Sequence, residues 1–167
     1  LDIAAGSGVW SIAFAQEFRS ATVTALDFPA VLKVARAYAG KFGVGHRFKY
    51  LSGDLRRLDF GKQQHDLIIL GHICHSEGRA NTIRLLRKSY AALRKDGQVL
   101  IADFLPNNRR TGPVMPLMFA LNMLLNTTEG DVFSVAEYQK WLRAAGFKKI
   151  ELLRSAPAPS PLILAAK

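Results

Sequence analysis

Short apolar runs alternate with stretches of helical period along this chain, and turn residues fall between them. Leu1-Asp2-Ile3 reads as the end of a first strand. Val9 to Phe18 reads as a helix with Ile12, Ala13 and Phe14 on its inner side. Ala21 to Leu26 is a buried strand, and Pro29 to Phe42 is a helix with Pro29 at a tolerated first-turn position and Gly43 near its end. His46 to Leu51 and the continuous apolar run Asp66 to Leu70 are strands of the parallel-sheet kind. Asn81 to Arg94 is an amphipathic helix with Ile83, Leu86, Tyr90 and Leu93 on one face. Lys95-Asp96-Gly97 is a turn, and Gln98 to Asp103 is a strand. Pro113 to Leu125 is an unusually apolar helix. Ser134-Val-Ala-Glu137 is a capping box opening a helix that runs to Ala145, with Gly146 at its C-cap. Lys149 to Leu153 and Leu162 to Ala166 close the chain as two strands.

Strands alternating with helices predict an α/β chain with a mostly parallel seven-stranded sheet and helices on both faces. The first strand is cut short. A parallel strand usually runs about five to six residues, yet this chain turns into a glycine loop after Ile3. We therefore expect the C-terminal part of a longer protein, with residues 1–167 as one domain.

Composition narrows the class. At 167 residues, 49% apolar and 22% charged, the chain can bury a core and is not disordered. Its single cysteine, Cys74, excludes an internal disulfide framework and fits a reducing, cytoplasmic setting. The most apolar stretch, Pro113 to Asn126, is too short to span a membrane. The formal net charge of +10 raises nucleic acid as a partner. The basic residues scatter over helix faces and turns instead of forming one stripe, so we expect no nucleic-acid partner.

The chemistry starts at Asp2-Ile3-Ala4-Ala5-Gly6-Ser7-Gly8, which joins a strand to a helix. Small residues there let a ligand approach the backbone and the free N–H groups of the helix end. Asp27 follows the second strand, 19 residues after Gly8, where a carboxylate can accept from two ribose hydroxyls. Dinucleotides and S-adenosylmethionine both use this arrangement. Asp2 ahead of the glycines, suited to a cationic methionine end, and the acidic Gly53-Asp54-Leu55 after the third strand, suited to an adenine amino group, favour S-adenosylmethionine. No cysteine–histidine metal spacing is present.

Leu1 to Gly8 with Val9-Trp10 resembles the first motif of class I methyltransferases. Asp27-Phe28-Pro29, Gly53-Asp54, Ile73-Cys74-His75, Asp103-Phe104-Leu105-Pro106 and Glu129-Gly130-Asp131 with Ser134 to Tyr138 are similar, in order, to segments of the small-molecule O-methyltransferase family of plant caffeate and hydroxyindole enzymes and their bacterial relatives. The resemblance implies a Rossmann-like class I methyltransferase fold, S-adenosylmethionine as cofactor, and a homodimer made through an N-terminal region that lies outside this sequence. It implies Asp2, Ala4, Gly6, Gly8, Asp27, Phe28, Asp54, Leu55, Gly71 and His72 as cofactor-binding residues. It further implies His75 as the general base that takes the proton of a hydroxyl acceptor. Asp103 is the residue expected to orient His75, with loop capping as its alternative role. Met118, Asn122 and Met123 are expected to line the pocket of an aromatic acceptor. The pattern departs from plant members where Ser76-Glu77 replaces Asp-Trp, and where Val132 stands at the place of a family glutamate, with Asp131 as its possible substitute. The competing functions are a nucleic-acid methyltransferase, prompted by the charge, and an NAD(P)-dependent oxidoreductase. The Gly71-His-Ile-Cys-His75 segment counts against the first, and the absent third glycine and paired acidic positions against the second.

Overall fold

A computed structural model describes residues 1–153 and 160–167. Its contacts divide the chain into two compact units, Leu1–Asp59 and Phe60–Lys167.

The first unit contains β1 (Asp2–Ile3), α1 (Val9–Glu17), β2 (Val23–Asp27), α2 (Pro29–Lys41), a 3₁₀ turn (Gly45–Arg47) and β3 (Phe48–Ser52). The strands lie in the order β3-β2-β1, all parallel, with Asp2 beside Ala25 and Asp27 beside Ser52. Apolar side chains bind helices to strands: Ile12 and Ala15 of α1 and Leu32 and Ala39 of α2 pack with Val23, Ala25 and Phe48. The inner side of α1 is Ser11, Ile12 and Ala15. Ala13 is exposed and Phe14 half-buried, so the expectation that they face inward fails. Three consecutive residues span about 200° of a helix, so Ile12, Ala13 and Phe14 cannot share one narrow face. The strand expected from His46 starts at Phe48 instead. Arg47 is drawn into the 3₁₀ turn, where its guanidinium donates to the carbonyls of Ala15, Phe18, Arg19 and Ala21. That one side chain reaches the Ala15 carbonyl in the last turn of α1, the Phe18 carbonyl at its C-cap and two carbonyls beyond it, where α1 carries no basic residue in its own last turn.

The second unit contains β4 (His65–Gly71), α3 (Cys74–Ala92), β5 (Leu93–Ala102), α4 (Val114–Asn126), α5 (Val135–Ala145), β6 (Ile150–Leu153) and β7 (Leu162–Ala166). Its strand order is β4-β5-β7-β6. β4 and β5 are parallel, and β7 runs antiparallel to both β5 and β6. The expected turn at 95–97 survives as a bulge: His65 pairs with Leu93, but Leu67 pairs with Gln98. Asp96 takes a left-handed φ of 63° within it.

The largest departure from sequence expectation is α3, which begins at Cys74 and not at Asn81. Gly78, with φ 70° and ψ 173°, breaks the helix into a first turn carrying His75 and a longer second part. An L side chain is strained at that backbone, and a Cβ on Gly78 would collide with the Glu129 carbonyl. Thr82 Oγ1 donates to the Cys74 carbonyl at 3.0 Å, and the Asp131 N–H donates to the His75 carbonyl at 2.9 Å. Tertiary hydrogen bonds therefore hold a turn that lacks a capping side chain of its own. α5 follows its sequence signal closely: Ser134 and Glu137 form the reciprocal capping box, and Gly146 ends the helix at φ 110°.

Candidate active site

In the first unit, the β1–α1 connection bends through left-handed backbone at Ala4, Gly6 and Gly8, with φ of 55°, 57° and 78°. A Cβ at Gly6 would meet nothing within 4 Å, so this glycine supplies conformation and leaves open space above the loop. No side chain caps α1. Asp27, at the end of β2, ties the loop down: Oδ2 accepts from Gly6 N–H at 2.9 Å and Oδ1 from Phe28 N–H at 2.7 Å. A carboxylate has about four acceptor positions, so roughly two stay open toward a ligand. Phe28 beside it is 58% exposed, a flat apolar ring at the surface. Asp54 organises the turn after β3, its Oδ1 accepting from Arg56 N–H at 2.8 Å and its carbonyl from Arg57 and Leu58 N–H. Leu55 next to it is half-buried.

Asp2 lies beneath the loop. It is buried and accepts a 2.6 Å hydrogen bond from Ser11 Oγ. Burial raises its carboxyl to about 6, against the lowering effect of the Ser11 hydroxyl. A buried carboxyl of that kind favours a neighbouring cation, which would restore its charge.

In the second unit, His75 sits in the first turn of α3 and is 6% exposed. Its Nδ1 donates to Asp103 Oδ1 at 2.7 Å. Asp103 follows β5 directly and is itself buried. Oδ1 also accepts from Phe104 N–H at 2.8 Å, and Oδ2 accepts from the Tyr138 hydroxyl of α5 at 2.8 Å. Asp103 thus both contacts His75 and caps its own loop, the two roles weighed from sequence. Nδ1 is engaged, so Nε2 is the ring nitrogen left to take a proton. Burial pushes the Cys74 thiol up, so it has no nucleophilic character beside His75.

An aromatic group surrounds the His75 ring. Phe119 of α4 meets it edge-on at 4.8 Å, and the Phe104 ring lies tilted by 36° with its centroid 4.2 Å from that of Phe119. His72 lies 5.1 Å from Phe104 and 6.0 Å from His75. It has a left-handed φ of 58°, and Ser160 Oγ is 3.2 Å from its Nε2. Burial holds His72 below the usual histidine value, against the opposing pull of Asp103. Gly71, the last residue of β4, precedes it. His72, His75 and Asp103 place potential metal ligands within 4.8 Å of one another. Of these, His75 Nδ1, His72 Nε2 and both Asp103 oxygens take part in the hydrogen bonds above.

Of the expected acceptor residues, Met123 is buried, whereas Met118 and Asn122 are exposed. Asn122 accepts from Asn126 Nδ2 one turn along the same helix. The Asp131 side chain does not reach His75, because its carboxylate forms a two-point pair with Arg110, each bond 3.0 Å. Its backbone N–H makes the contact instead. Phe104, Tyr138 and Ser160 join the site without being singled out from the sequence. Tyr138 recurs with Trp141 and Leu142 on the buried side of α5, a period that reads as core and conceals its polar end. Among the described residues, no helix is long and apolar enough to cross a membrane.

Comparison with known proteins agrees with this geometry. Residues 1–148 match the model of an O-methyltransferase domain family. Mouse acetylserotonin O-methyltransferase is 32% identical over 157 residues, which are 92% of this chain and 40% of that enzyme. An O-methyltransferase family 2 protein from Planctomyces limnophilus, solved in complex with apigenin, superposes at a TM-score of 0.92 with 32% identity, over 99% of this chain and 48% of its own. PigF, an S-adenosyl-L-methionine-dependent methyl transferase of a Serratia species solved with SAH, gives 0.89 with 28% identity, over 99% and 49%. The chain therefore spans between 40% and about half of the length of these three relatives.

Proposed function

The chain belongs to the O-methyltransferase domain family, and on that premise we propose that its protein transfers a methyl group from S-adenosylmethionine to the hydroxyl of a small aromatic molecule, with His75 as general base. The observation that carries the reading is the buried His75–Asp103 pair, 2.7 Å apart, set among the rings of Phe104, Phe119 and His72.

The first unit would hold the cofactor. Asp27 would accept from the ribose hydroxyls with its remaining lone pairs, Phe28 and Leu55 would flank the adenine, and Asp54 would accept from its amino group. Ala4, Gly6 and Gly8 would give the methionine portion access to the backbone, with Asp2 beneath as an anionic counterweight. Gly71 and His72 belong to the same set as expected from the sequence. S-adenosylmethionine, when bound, supplies a methyl group already activated on a sulfonium.

The work left to the protein is positioning and proton removal. Asp103 fixes the tautomer, with the proton on Nδ1, so that Nε2 is a base and not a donor. A phenolic hydroxyl has a pKa near 10, so it keeps its proton until an imidazole takes it as attack proceeds. Such a base contributes about 10² to 10⁴ in rate. Phe104 and Phe119 offer faces and edges to a flat ring, with Met118, Asn122 and Met123 on α4 as further lining. The names of the relatives, acetylserotonin and apigenin among them, support an aromatic hydroxyl as acceptor. A homodimer belongs to the same proposal, supported by the exposed Val114, Met115, Met118, Leu121 and Leu124 of α4, an apolar side that needs cover.

Calorimetric titration of S-adenosylhomocysteine, with NADH as control, tests the cofactor. Saturable binding weakened by Asp27→Ala is expected, and binding of NADH in its place overturns the reading. His75→Ala tests the base: the expected outcome is a kcat lower by about 10² to 10⁴ with S-adenosylhomocysteine affinity unchanged. Full activity in that variant removes His75 from the mechanism.

A further inference from the structure

We propose that Tyr138 is a positioning residue for the His75–Asp103 pair, holding the second oxygen of Asp103 and setting how strongly the pair binds its proton. The inference rests on the general-base reading of His75 given above, and its geometry stands apart from that reading.

Tyr138 is fully buried on α5, and its hydroxyl donates to Asp103 Oδ2 at 2.8 Å. The other oxygen of the same carboxylate takes the His75 Nδ1–H at 2.7 Å and the Phe104 N–H at 2.8 Å. Three donors, from α3, α5 and the loop after β5, converge on one buried anion. Burial raises Tyr138 well above the ordinary phenol value, so the hydroxyl keeps its proton and acts as a donor to the carboxylate. A buried carboxylate with fewer donors is costly as an anion and pulls harder on any proton within reach. Tyr138 therefore spreads the charge of Asp103 and moderates the proton affinity of His75. Its second effect is geometric. With Oδ2 anchored on α5, the carboxylate cannot rotate away from the imidazole.

Among the described residues, the other titratable groups near the pair are His72, Cys74 and Glu77. His72, after β4, has its ring 6.0 Å from that of His75. The Cys74 thiol neighbours the Tyr138 hydroxyl, with Glu77 further along the first turn of α3. Phe104 and Phe119 present only carbon to the ring. None of these replaces the donor that Tyr138 supplies to Oδ2.

The test uses the full-length protein and two variants of opposite sign. Tyr138→Phe removes the donor. The midpoint of the His75–Asp103 titration, followed through the His75 imidazole NMR signals, should move up by about one pH unit, a tenfold gain in proton affinity. The kcat profile should move with it: activity falls on the acid side and recovers at higher pH, while the acceptor KM changes little. Incorporation of 3,5-difluorotyrosine at 138 keeps the shape and strengthens the donor, so the midpoint should move down. A role in packing alone lowers activity at every pH and leaves both midpoints in place, and that result overturns the proposal. If Tyr138→Phe does not fold, the fluorinated protein decides, since an unmoved midpoint there refutes the proposal by itself. If the NMR midpoint shifts but the rate profile does not follow, Tyr138 acts as argued and His75 is not the base.

Discussion

Asp2→Asn tests how the glycine loop is built. The Asp2 carboxyl is held at about 6 in place of 3.8, with burial as the largest cause. Between those two values the folded chain keeps a proton that the unfolded chain has released. Stability therefore falls as pH rises through that window, because the native state binds more protons there. About two pH units at about 1.4 kcal/mol each amount to roughly 3 kcal/mol, fully lost somewhat above pH 6. Asparagine keeps an oxygen for Ser11 Oγ, which donates at 2.6 Å, and cannot ionise. Its amide carries a fixed penalty of about 1–3 kcal/mol if the new donor finds no acceptor. That offset does not depend on pH, so the informative quantity is the change with pH. Urea unfolding of both proteins between about pH 3.5 and 8 is the assay. The stability difference should shift in favour of the variant by roughly 3 kcal/mol across the range, most of it between about pH 4 and 7. A difference that stays constant with pH would refute the account of Asp2 as a carboxyl penalised by burial.

Three further outcomes are expected. S-adenosylmethionine binding near pH 6 should release a proton from Asp2, since a cation beside the loop favours its charged form; calorimetry in buffers of different ionisation enthalpy reads that release, and none should accompany binding to Asp2→Asn. Gly78→Ala should cost about 2 kcal/mol or more by thermal unfolding, from the left-handed backbone and the collision with the Glu129 carbonyl. It should depress kcat more than S-adenosylhomocysteine affinity, because the displaced turn carries His75. Arg47→Met should destabilise the fold by about 2–3 kcal/mol, as the carbonyls of Ala15, Phe18, Arg19 and Ala21 lose a charged donor. Equal stability of that variant would show that water serves those carbonyls as well.

Much of this molecule is local and therefore legible from the sequence. Apolar runs locate the seven strands of the described residues within about two residues for most boundaries, because burial of a strand demands apolar side chains at contiguous positions. The Ser134–Glu137 capping box and the Gly146 stop are read correctly because every partner lies within a few residues along the chain. The glycine loop is equally local, since its left-handed backbone needs glycine at Gly6 and Gly8 whatever surrounds it. The tertiary structure decided what depends on distant partners. The first turn of α3 contains a helix-breaking Gly78 and lacks a cap, so local preference argues for a loop. Bonds from Thr82 and Asp131 make it helical and bring His75 to its place. Arg47 leaves its expected strand for carbonyls 26 to 32 residues away. The His75–Asp103–Tyr138 relay joins residues 28 and 35 positions apart. A buried polar atom must find its partner wherever the fold places one, and no periodicity along the chain records that choice.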